Sequence, residues 1–540
     1  IGLIFIFKDK IIQQFVAEAN KSLNTPVKIE HIDVSVFEKF PQLSIVFHQV
    51  YVEDSHPGKY PLLTAARISF QLNLVELWNG EYVIKGLQIH DSETSLKIDK
   101  TGKVNYSIIK EKESAGANDV TLRFELKNVG LQHTRVRYVD LSVGQELVFD
   151  SPKLQASIAS MNENYFIEAT GVVVTEKMNI RGTHVLEGKQ FSVESKLQYD
   201  DVNKNLLIET SDVVLQGSAF TIEGSYSWRD KNYINLKTVG KDTDVQTILS
   251  LLPENFSNDF KQYRRKGDVY FSALLKGEIS ATKNPGLSVD FGFRETTIFH
   301  PGSQEQLEHV SMEGSFATAD VSHGDAGVLV LKNIQGVLNN ETVTGNLVIH
   351  NFVDPEVKCN FQGIVDAGWL AAFYPMRDIE QVTGQVNANV SFEGKIAFLK
   401  KRSTAQKVST TGTIDLNNIN LVYGKDKISL VRLHGGLQFN NNDLALSNVS
   451  GKLGNSDFVL NGFFKNVVTF LLFENQPIGI EADLKSDYLD LNQLFALGFG
   501  SLAAGEQQPY AFRISKNVNL DFNCDVKAIR YKRFHGRALT

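Results

Sequence analysis

The chain has 540 residues, of which 42% are hydrophobic and 22% charged, a composition that excludes disorder and predicts a substantial buried core. Its formal net charge of -7 is mild for this length and argues against nucleic acid as a partner, which requires a concentrated basic face. The 2 cysteines are too few for a disulfide scaffold or a four-cysteine zinc site.

A short apolar run opens the chain. Its apolar members are Ile1, Leu3, Ile4, Phe5, Ile6 and Phe7. A membrane-spanning helix needs about 20 apolar residues, so this run alone cannot span; we expect it to be the end of a membrane anchor that begins before residue 1. An ordinary buried strand or helix start is the alternative. Helical spacing of apolar residues from Ile11 to Leu23, stopped by Pro26, then predicts an amphipathic helix.

After Pro26 the apolar period changes to two, which is typical of strands with one apolar and one polar face. Gly, Asn and Asp lie between the runs, as expected for hairpin turns, and the rhythm of a parallel βαβ sheet is absent. We therefore predict a mainly β, largely antiparallel protein. The alternating runs are 32–36, 68–74, 122–126, 287–293, 386–392, 478–484 and 520–526.

An internal repeat of about 120 residues is the most informative pattern. Four segments recur in the same order at nearly constant offset: 267–279 with 384–396, 310–314 with 431–435, 331–338 with 446–453, and 244–253 with 366–375. Each repeat would contain several strands and one short helix, and stacking would bury the apolar edge of each repeat on the next. A tandem of independent β-sandwiches remains the alternative, although strong linkers are missing.

The repeat and the polar stretches divide the chain into six expected segments. They are 1–24 (end of the anchor and amphipathic helix), 25–110 (N-terminal β region), 119–282 (first β region with repeat 1), 283–400 (repeat 2), 410–500 (repeat 3) and 510–540 (start of a further β region). Short helices are predicted at 245–252, 369–374 and 489–497. They would line or plug a groove, or simply pack at its edge.

No catalytic or metal-binding motif is found, so we predict no enzymatic activity, no metal and no cofactor. His300 and His309 lie in one loop region without a cysteine or paired carboxylates at ligand spacing. Cys359 and Cys524 both fall in alternating runs, where we expect them to act as small hydrophobic residues.

The N-terminal region carries a recognisable pattern. It runs through Val27-Lys-Ile-Glu-His-Ile-Asp-Val-Ser35, Phe40-Pro41, Leu77-Trp-Asn-Gly80 and Gly102-Lys-Val-Asn105. Over about residues 1–110 this pattern resembles the AsmA family of Gram-negative envelope proteins, which is similar to the TamB, YhdP and bridge-like lipid-transfer proteins. The later repeats resemble the body of that family less specifically. The resemblance implies a fragment that lacks the start of the N-terminal helix and the C-terminal part.

What the resemblance implies is a single-pass inner-membrane protein with most of its chain in the periplasm of a Gram-negative bacterium. Its fold would be an elongated, twisted antiparallel sheet folded lengthwise into an apolar groove (a β-taco, or repeating β-groove). Its function would be to carry phospholipids between the inner and outer membranes, with the outer membrane or one of its assembly proteins as a further partner. The alternative function is a non-transporting scaffold or regulator of outer-membrane assembly, built of tandem β-sandwiches.

Alternating apolar residues in the repeats are the candidate groove lining. They are Val269, Phe271, Ala273 and Leu275; Leu287, Val289, Phe291 and Phe293; and Val386, Val390 and Phe392. An uncovered apolar face of this size exceeds what soluble monomers usually expose, and acyl chains would cover it. A closed sandwich core predicts the same period of two, so the sequence leaves groove and core open as alternatives.

Overall fold

The computed structural model describes residues 23–39, 42–73, 75–76, 83–108, 110, 123–161, 163–180, 183–184, 186–215, 217–240, 264–280, 282–299, 306–373, 379–400, 402–423, 427–473, 476–494 and 518–539. Two compact units are present. The first unit comprises Ile1–Lys261, Val269–Val289 and Ala319–Ser322, and the second comprises Gln262–Asp268, Asp290–Thr318 and His323–Thr540. These units do not test the six expected segments, whose boundaries stay predictions.

Strands dominate both units. The early strands are β1 (Val27–Lys28), β2 (His31–Lys39), β3 (Gln42–Glu53), β4 (Pro61–Asn73), β5 (Val83–Ile98), β6 (Arg123–Asp140), β7 (Gln145–Met161), β8 (Asn164–Ile180), β9 (Thr183–His184), β10 (Lys189–Asp200), β11 (Asn205–Leu215), β12 (Ser218–Ser227), β13 (Asn232–Gly240), β14 (Arg264–Ile279) and β15 (Gly286–Phe299). β1 to β13 belong to the first unit, and β14 and β15 contribute residues to both.

The later strands belong to the second unit. They are β16 (Gln306–Thr318), β17 (Val328–Leu338), β18 (Glu341–His350), β19 (Glu356–Asp366), β20 (Ile379–Lys395), β21 (Ser409–Tyr423), β22 (Ile428–Asn440), β23 (Asp443–Leu453), β24 (Ser456–Lys465), β25 (Ile478–Ser486), β26 (Leu489–Asp490), β27 (Val518–Tyr531) and β28 (Phe534–Leu539). The described helices are short: α1 (Ala367–Phe373), α2 (Ile396–Leu399), α3 (Arg402–Ala405), α4 (Val467–Leu472), α5 (Leu491–Leu494) and a 3-10 turn at Val321–Ala326.

Neighbours in sequence are mostly neighbours in the sheet. In the first unit β3 pairs with β4 and β4 with β5, and antiparallel pairing continues from β6 through β8, β10, β11, β12 and β13. In the second unit it runs from β16 to β25 without interruption. The predicted mainly β fold with long strands and few helices is confirmed. The sheet is nevertheless mixed, because β5–β6 and β25–β27 are parallel.

Bulges interrupt the alternation of many long strands. In β21 the apolar positions run Ile414 and Leu416, then skip two polar residues to Ile419, where the register with β22 also shifts. The skipped Asn418 has a positive φ of 51°, and Arg432 (56°) and Asn448 (49°) do the same in β22 and β23. A bulge adds one residue, sharpens the twist and bends the strand while its apolar side chains stay on one face.

Side chains of neighbouring strands cap these bulges. The backbone N–H of Asn448 donates to Oδ1 of Asn461 (2.8 Å), and that of Asn333 donates to Oδ1 of Asn346 (3.0 Å). The bulge residue and the asparagine that caps it both recur 115 residues apart. This is the offset of the match between 331–338 and 446–453. The repeated β architecture predicted from the sequence is thus present in the structure.

One of the sequence matches is shifted by two residues. The sequence match pairs 310–314 with 431–435, an offset of 121. The structure gives His309 and Arg432 the same positive-φ bulge position, 123 residues apart. Val310 therefore corresponds to Leu433 instead of Val431, and both are buried. The position of the bulge therefore determines how the two repeats align. In the sequence the bulge shows only as a break in the alternation of apolar and polar residues.

A sealed core lies between residues 43 and 84 of the first unit. Leu43, Ile45 and Ile84 are each 0% exposed, and Phe47 meets Phe70 edge to face at 5.3 Å. Ile32, Val34, Leu87 and Ile89 pack against this cluster from the neighbouring strands. The N-terminal β region is therefore anchored by a conventional hydrophobic core.

Several sequence predictions fall outside the described residues. They are the apolar run at residues 1–7, the helix expected up to Leu23, the helix at 245–252, and part of the pattern that carries the family resemblance. Among the described residues, no helix combines the length and the apolar character that crossing a bilayer demands.

Candidate functional site

The structure places the eleven candidate groove residues in two groups. Val269, Phe271 and Phe293 are buried, with 3–9% exposure. Phe271 packs edge-on against Phe220 at 6.5 Å, so it belongs to a conventional packing contact. The others are half-buried: Ala273, Leu275, Leu287, Val289, Phe291, Val386, Val390 and Phe392.

Val386, Val390 and Phe392 belong to a larger apolar surface that sequence alternation alone does not reveal. On β20 they pair with Val365, Phe361 and Cys359 of β19, and the same face continues onto β18 and β21. We call this surface the inner face. Its members are Leu331, Ile334, Val343, Leu347, Ile349, Val357, Cys359, Phe361, Val365, Val386, Ala388, Val390, Phe392, Ile414 and Leu416.

The inner face is only partly covered. Leu347, Phe361 and Val390 are half-buried, while residues on the opposite face of the same strands, such as Asn360 and Asn389, are exposed. In a closed sandwich the inward residues would be fully buried, as Leu43 and Ile45 are in the first unit. Val365 and Ala388 are the fully buried members of the inner face.

Two apolar clusters flank the inner face at opposite ends of the strands. At one end Leu399, Val408 and Val467, from the segments that contain α2, α3 and α4, are buried against strand residues that include Phe392 and Phe439. At the other end Ala367 of α1 is buried with Ile419 and Leu433, and these contact Val386 and Leu416. The predicted helix at 369–374 is therefore present, as α1, and packs at an edge of the face.

Small and branched residues lie between these two clusters. They are Ala388, Val390, Gly412 and Ile414. Gly412 has a φ of +119°, and a Cβ there would overlap the carbonyl oxygen of Asn389, so only glycine fits. Glycine kinks and bulges are the usual means of curving a sheet, and both occur on these strands. These four residues therefore form an apolar path across β20 and β21, between the two flanking clusters.

Local chemistry explains how the flanking helices are held. The carboxylate of Asp366 accepts hydrogen bonds from the backbone N–H groups of Gly368 (2.8 Å) and Trp369 (3.0 Å) and so caps α1. In α4 the buried Thr469 donates its hydroxyl to the carbonyl of Leu399 at 2.9 Å, and its N–H donates to Oδ1 of Asn442. These bonds fix α4 against α2. The helix expected at 489–497 is described up to residue 494, as β26 and α5.

Titratable chemistry on the inner face is confined to one thiol. Cys359 is free and half-buried, and burial raises the pKa of its thiol, which keeps it neutral. Cys524 is also free but exposed, which does not fit the small hydrophobic role expected for it.

The histidines make no metal site within the described part of the chain, where no three His, Cys, Asp or Glu side chains come together. Nδ1 of His309 lies 2.7 Å from Oε2 of Glu295, and both side chains are exposed. This hydrogen bond raises the pKa of His309. His300 lies outside the described residues.

Comparison with known proteins gives no match to a family model, a curated protein or a solved structure. The interpretation of the inner face therefore depends on its own residues.

Proposed function

We propose that the inner face binds acyl chains and that the protein carries phospholipids along it. The observation that supports this proposal is the half-burial of Leu347, Phe361 and Val390 on a continuous uncharged face. By contrast, Leu43 and Ile45 in the first-unit core are fully buried. A large uncovered apolar surface marks a site for an apolar ligand or partner.

The energetics of such a face suit lipid movement. Each buried CH₂ group contributes about 0.8 kcal/mol, so an acyl chain is held by many small, equivalent gains instead of one anchoring contact. A lining of Leu, Val, Ile, Phe, Ala and Gly offers no directional bonds that would fix the chain at one position. A ligand could therefore slide across the strands between the two flanking clusters without any bond being made or broken.

The cellular part of the proposal depends on the sequence resemblance alone. We propose an inner-membrane anchor, a periplasmic body and delivery to the outer membrane, in support of outer-membrane biogenesis. The partners would be phospholipids, the inner membrane, and the outer membrane or one of its assembly proteins.

The test introduces one charge on each face of the same strand. Val390→Asp places a carboxylate on the inner face, and Ser391→Asp places one on the neighbouring, exposed outer position as the matched control. Both proteins are purified from the same membranes, their fold is checked by circular dichroism, and bound phospholipid is measured by mass spectrometry. We expect the Val390 variant to lose most of its lipid and the Ser391 variant to keep it.

Val390 is a better position for the introduced charge than Phe271 or Phe392. Phe271 and Phe392 pack in buried clusters, so a charge there would disturb folding as well as lipid binding. Unchanged lipid occupancy in a folded Val390→Asp protein would refute the groove. Absence of lipid from the unmodified protein would favour the alternative, a scaffold in envelope assembly.

A further inference from the structure

The outer face of the second unit carries two rows of uncharged polar side chains that cross the strands β17 to β22. Residues directly opposite one another on adjacent strands build each row. The first row is Gln335, Thr344, Gln362, Asn389, Thr413 and Gln438. The second row is Asn346, Asn360, Ser391, Thr411 and Asn440. We call the two rows together the polar strip.

The composition of the polar strip is unusual for a solvent-exposed surface. All eleven side chains are exposed, and none is ionisable, although 22% of the chain is charged and charges normally concentrate on exposed positions. At one border of the strip Lys358 and Glu393 face each other at 2.8 Å, and each neutralises the other. Asp415 lies at the other border, so the strip itself carries no charge and is dense in hydrogen-bonding groups.

A depression of about 520 Å³ lies in this strip. It is lined by side chains of both rows, among them Thr344, Asn360, Asn389 and Ser391, and by the bulge at Asn333. This volume falls within the range of small-molecule sites.

Part of the strip is fixed and part is open to a ligand. Asn346 is held on two sides: its Oδ1 accepts from the N–H of Asn333 at 3.0 Å, and its Nδ2 donates to Oδ1 of Asn360 at 3.1 Å. Within the described chain the side chains of Gln335, Asn389 and Ser391 make no hydrogen bond. Their donors and acceptors therefore face solvent from strands that are paired on both sides.

We propose that the polar strip binds a neutral oligosaccharide whose chain lies across the strands. Adjacent strands are about 4.8 Å apart, so the rows present a regular series of amide and hydroxyl groups to a chain of ring-borne hydroxyls. The missing charges argue against a phosphate or carboxylate ligand, which would recruit Arg or Lys. This site lies on the face opposite to the inner face and is independent of lipid binding.

The test uses chitotetraose and cellotetraose as neutral probes, in saturation-transfer NMR and in titrations up to ~10 mM, the range of weak sites. We expect at least one probe to bind the unmodified protein. Asn360→Ala and Gln362→Ala should each weaken that binding about fivefold, the equivalent of one lost hydrogen bond. Asn519→Ala, at an exposed asparagine of β27 outside the strip, is the matched control and should bind normally.

Two results would overturn this assignment. One is no saturation transfer to either probe. The other is equal binding by the unmodified protein and by both strip variants, with circular dichroism showing that all are folded. The lipid content measured for Val390→Asp is separate from both, so either proposal can fail while the other stands.

Discussion

Two regions of the molecule share one sequence pattern and differ in what covers it. Strands β3 to β5 of the first unit and strands β17 to β21 of the second unit alternate apolar and polar residues over part of their length. In the first region Ile45 is 0% exposed and lies inside a cluster that neighbouring strands seal. In the second region Leu347 and Phe361 stay half-buried. Period two therefore specifies a face, and the packing partner decides whether that face becomes a core or a surface.

Truncating one side chain in each region tests this difference in burial most directly. Ile45→Ala should lower the free energy of unfolding by about 2–5 kcal/mol, because it leaves a cavity in a sealed core. Leu347→Ala should cost only about 1 kcal/mol, because its side chain is already partly in contact with solvent. Urea unfolding, followed by hydrogen exchange of the strand amides, measures both losses.

The control for this pair is Thr344→Ala on the outer face, which should change stability by less than about 0.5 kcal/mol. Equal losses for Ile45→Ala and Leu347→Ala would mean that the inner face is as well packed as the first-unit core. The distinction between the two regions would then disappear.

Substitutions at the bulges of the second unit should have a smaller effect on stability. Asn448→Val forces a β-branched residue into a left-handed conformation and should destabilise the second unit by about 1–2 kcal/mol. Asn461→Ala removes the acceptor for the N–H of residue 448 and should cost about 1 kcal/mol. Thermal unfolding measures both.

Two milder variants separate conformation from capping. Asn448→Gly keeps the positive φ without steric cost, and Asn461→Asp keeps an acceptor oxygen, so both should be close to neutral. If Asn448→Val unfolds at the same temperature as the unmodified chain, the bulge carries no strain and does not shape the strands.

The smallest expected effect concerns the exposed pair of His309 and Glu295. Glu295 raises the pKa of His309 in the folded protein. The stabilisation from this pair is therefore fully present below the pKa of His309 in the unfolded chain, and it is lost as the pH rises through the pKa of His309 in the folded chain. NMR titration of the imidazole should give a pKa above the ordinary value for histidine. Glu295→Gln should lower the pKa of His309 towards that value, and an unchanged titration curve would show that Glu295 does not interact with His309.

Much of the fold was predictable from residues in sequence. The runs at 287–293, 386–392 and 478–484 lie in β15, β20 and β25, and the helix expected at 369–374 is α1. These predictions worked because the local period decides the strands and the internal repeat marked the helix. The parallel pairing of β5 with β6 was missed, since strand direction depends on a connection that alternation does not encode.

The candidate site was predictable only in part. Val386, Val390 and Phe392 were found, but Leu347 and Phe361, which complete the inner face, were not, because cross-strand register joins them. A usable signal for the bulges was present: a pair of polar residues inside an apolar alternation, as between Leu416 and Ile419. Whether a face is covered depends on residues distant in sequence, so period two could not separate a groove from a closed core.

The capped bulges have a consequence for how such a chain can change in length. Asn448 in β23 is capped from β24, and Asn333 in β17 is capped from β18, so each hairpin brings its own bulge together with the residue that satisfies it. Inserting or deleting a whole hairpin leaves the remaining register intact, whereas a single-residue deletion uncouples a bulge from its neighbours. We expect related chains to differ in length by complete hairpins, gained by duplication, instead of by gradual growth of loops.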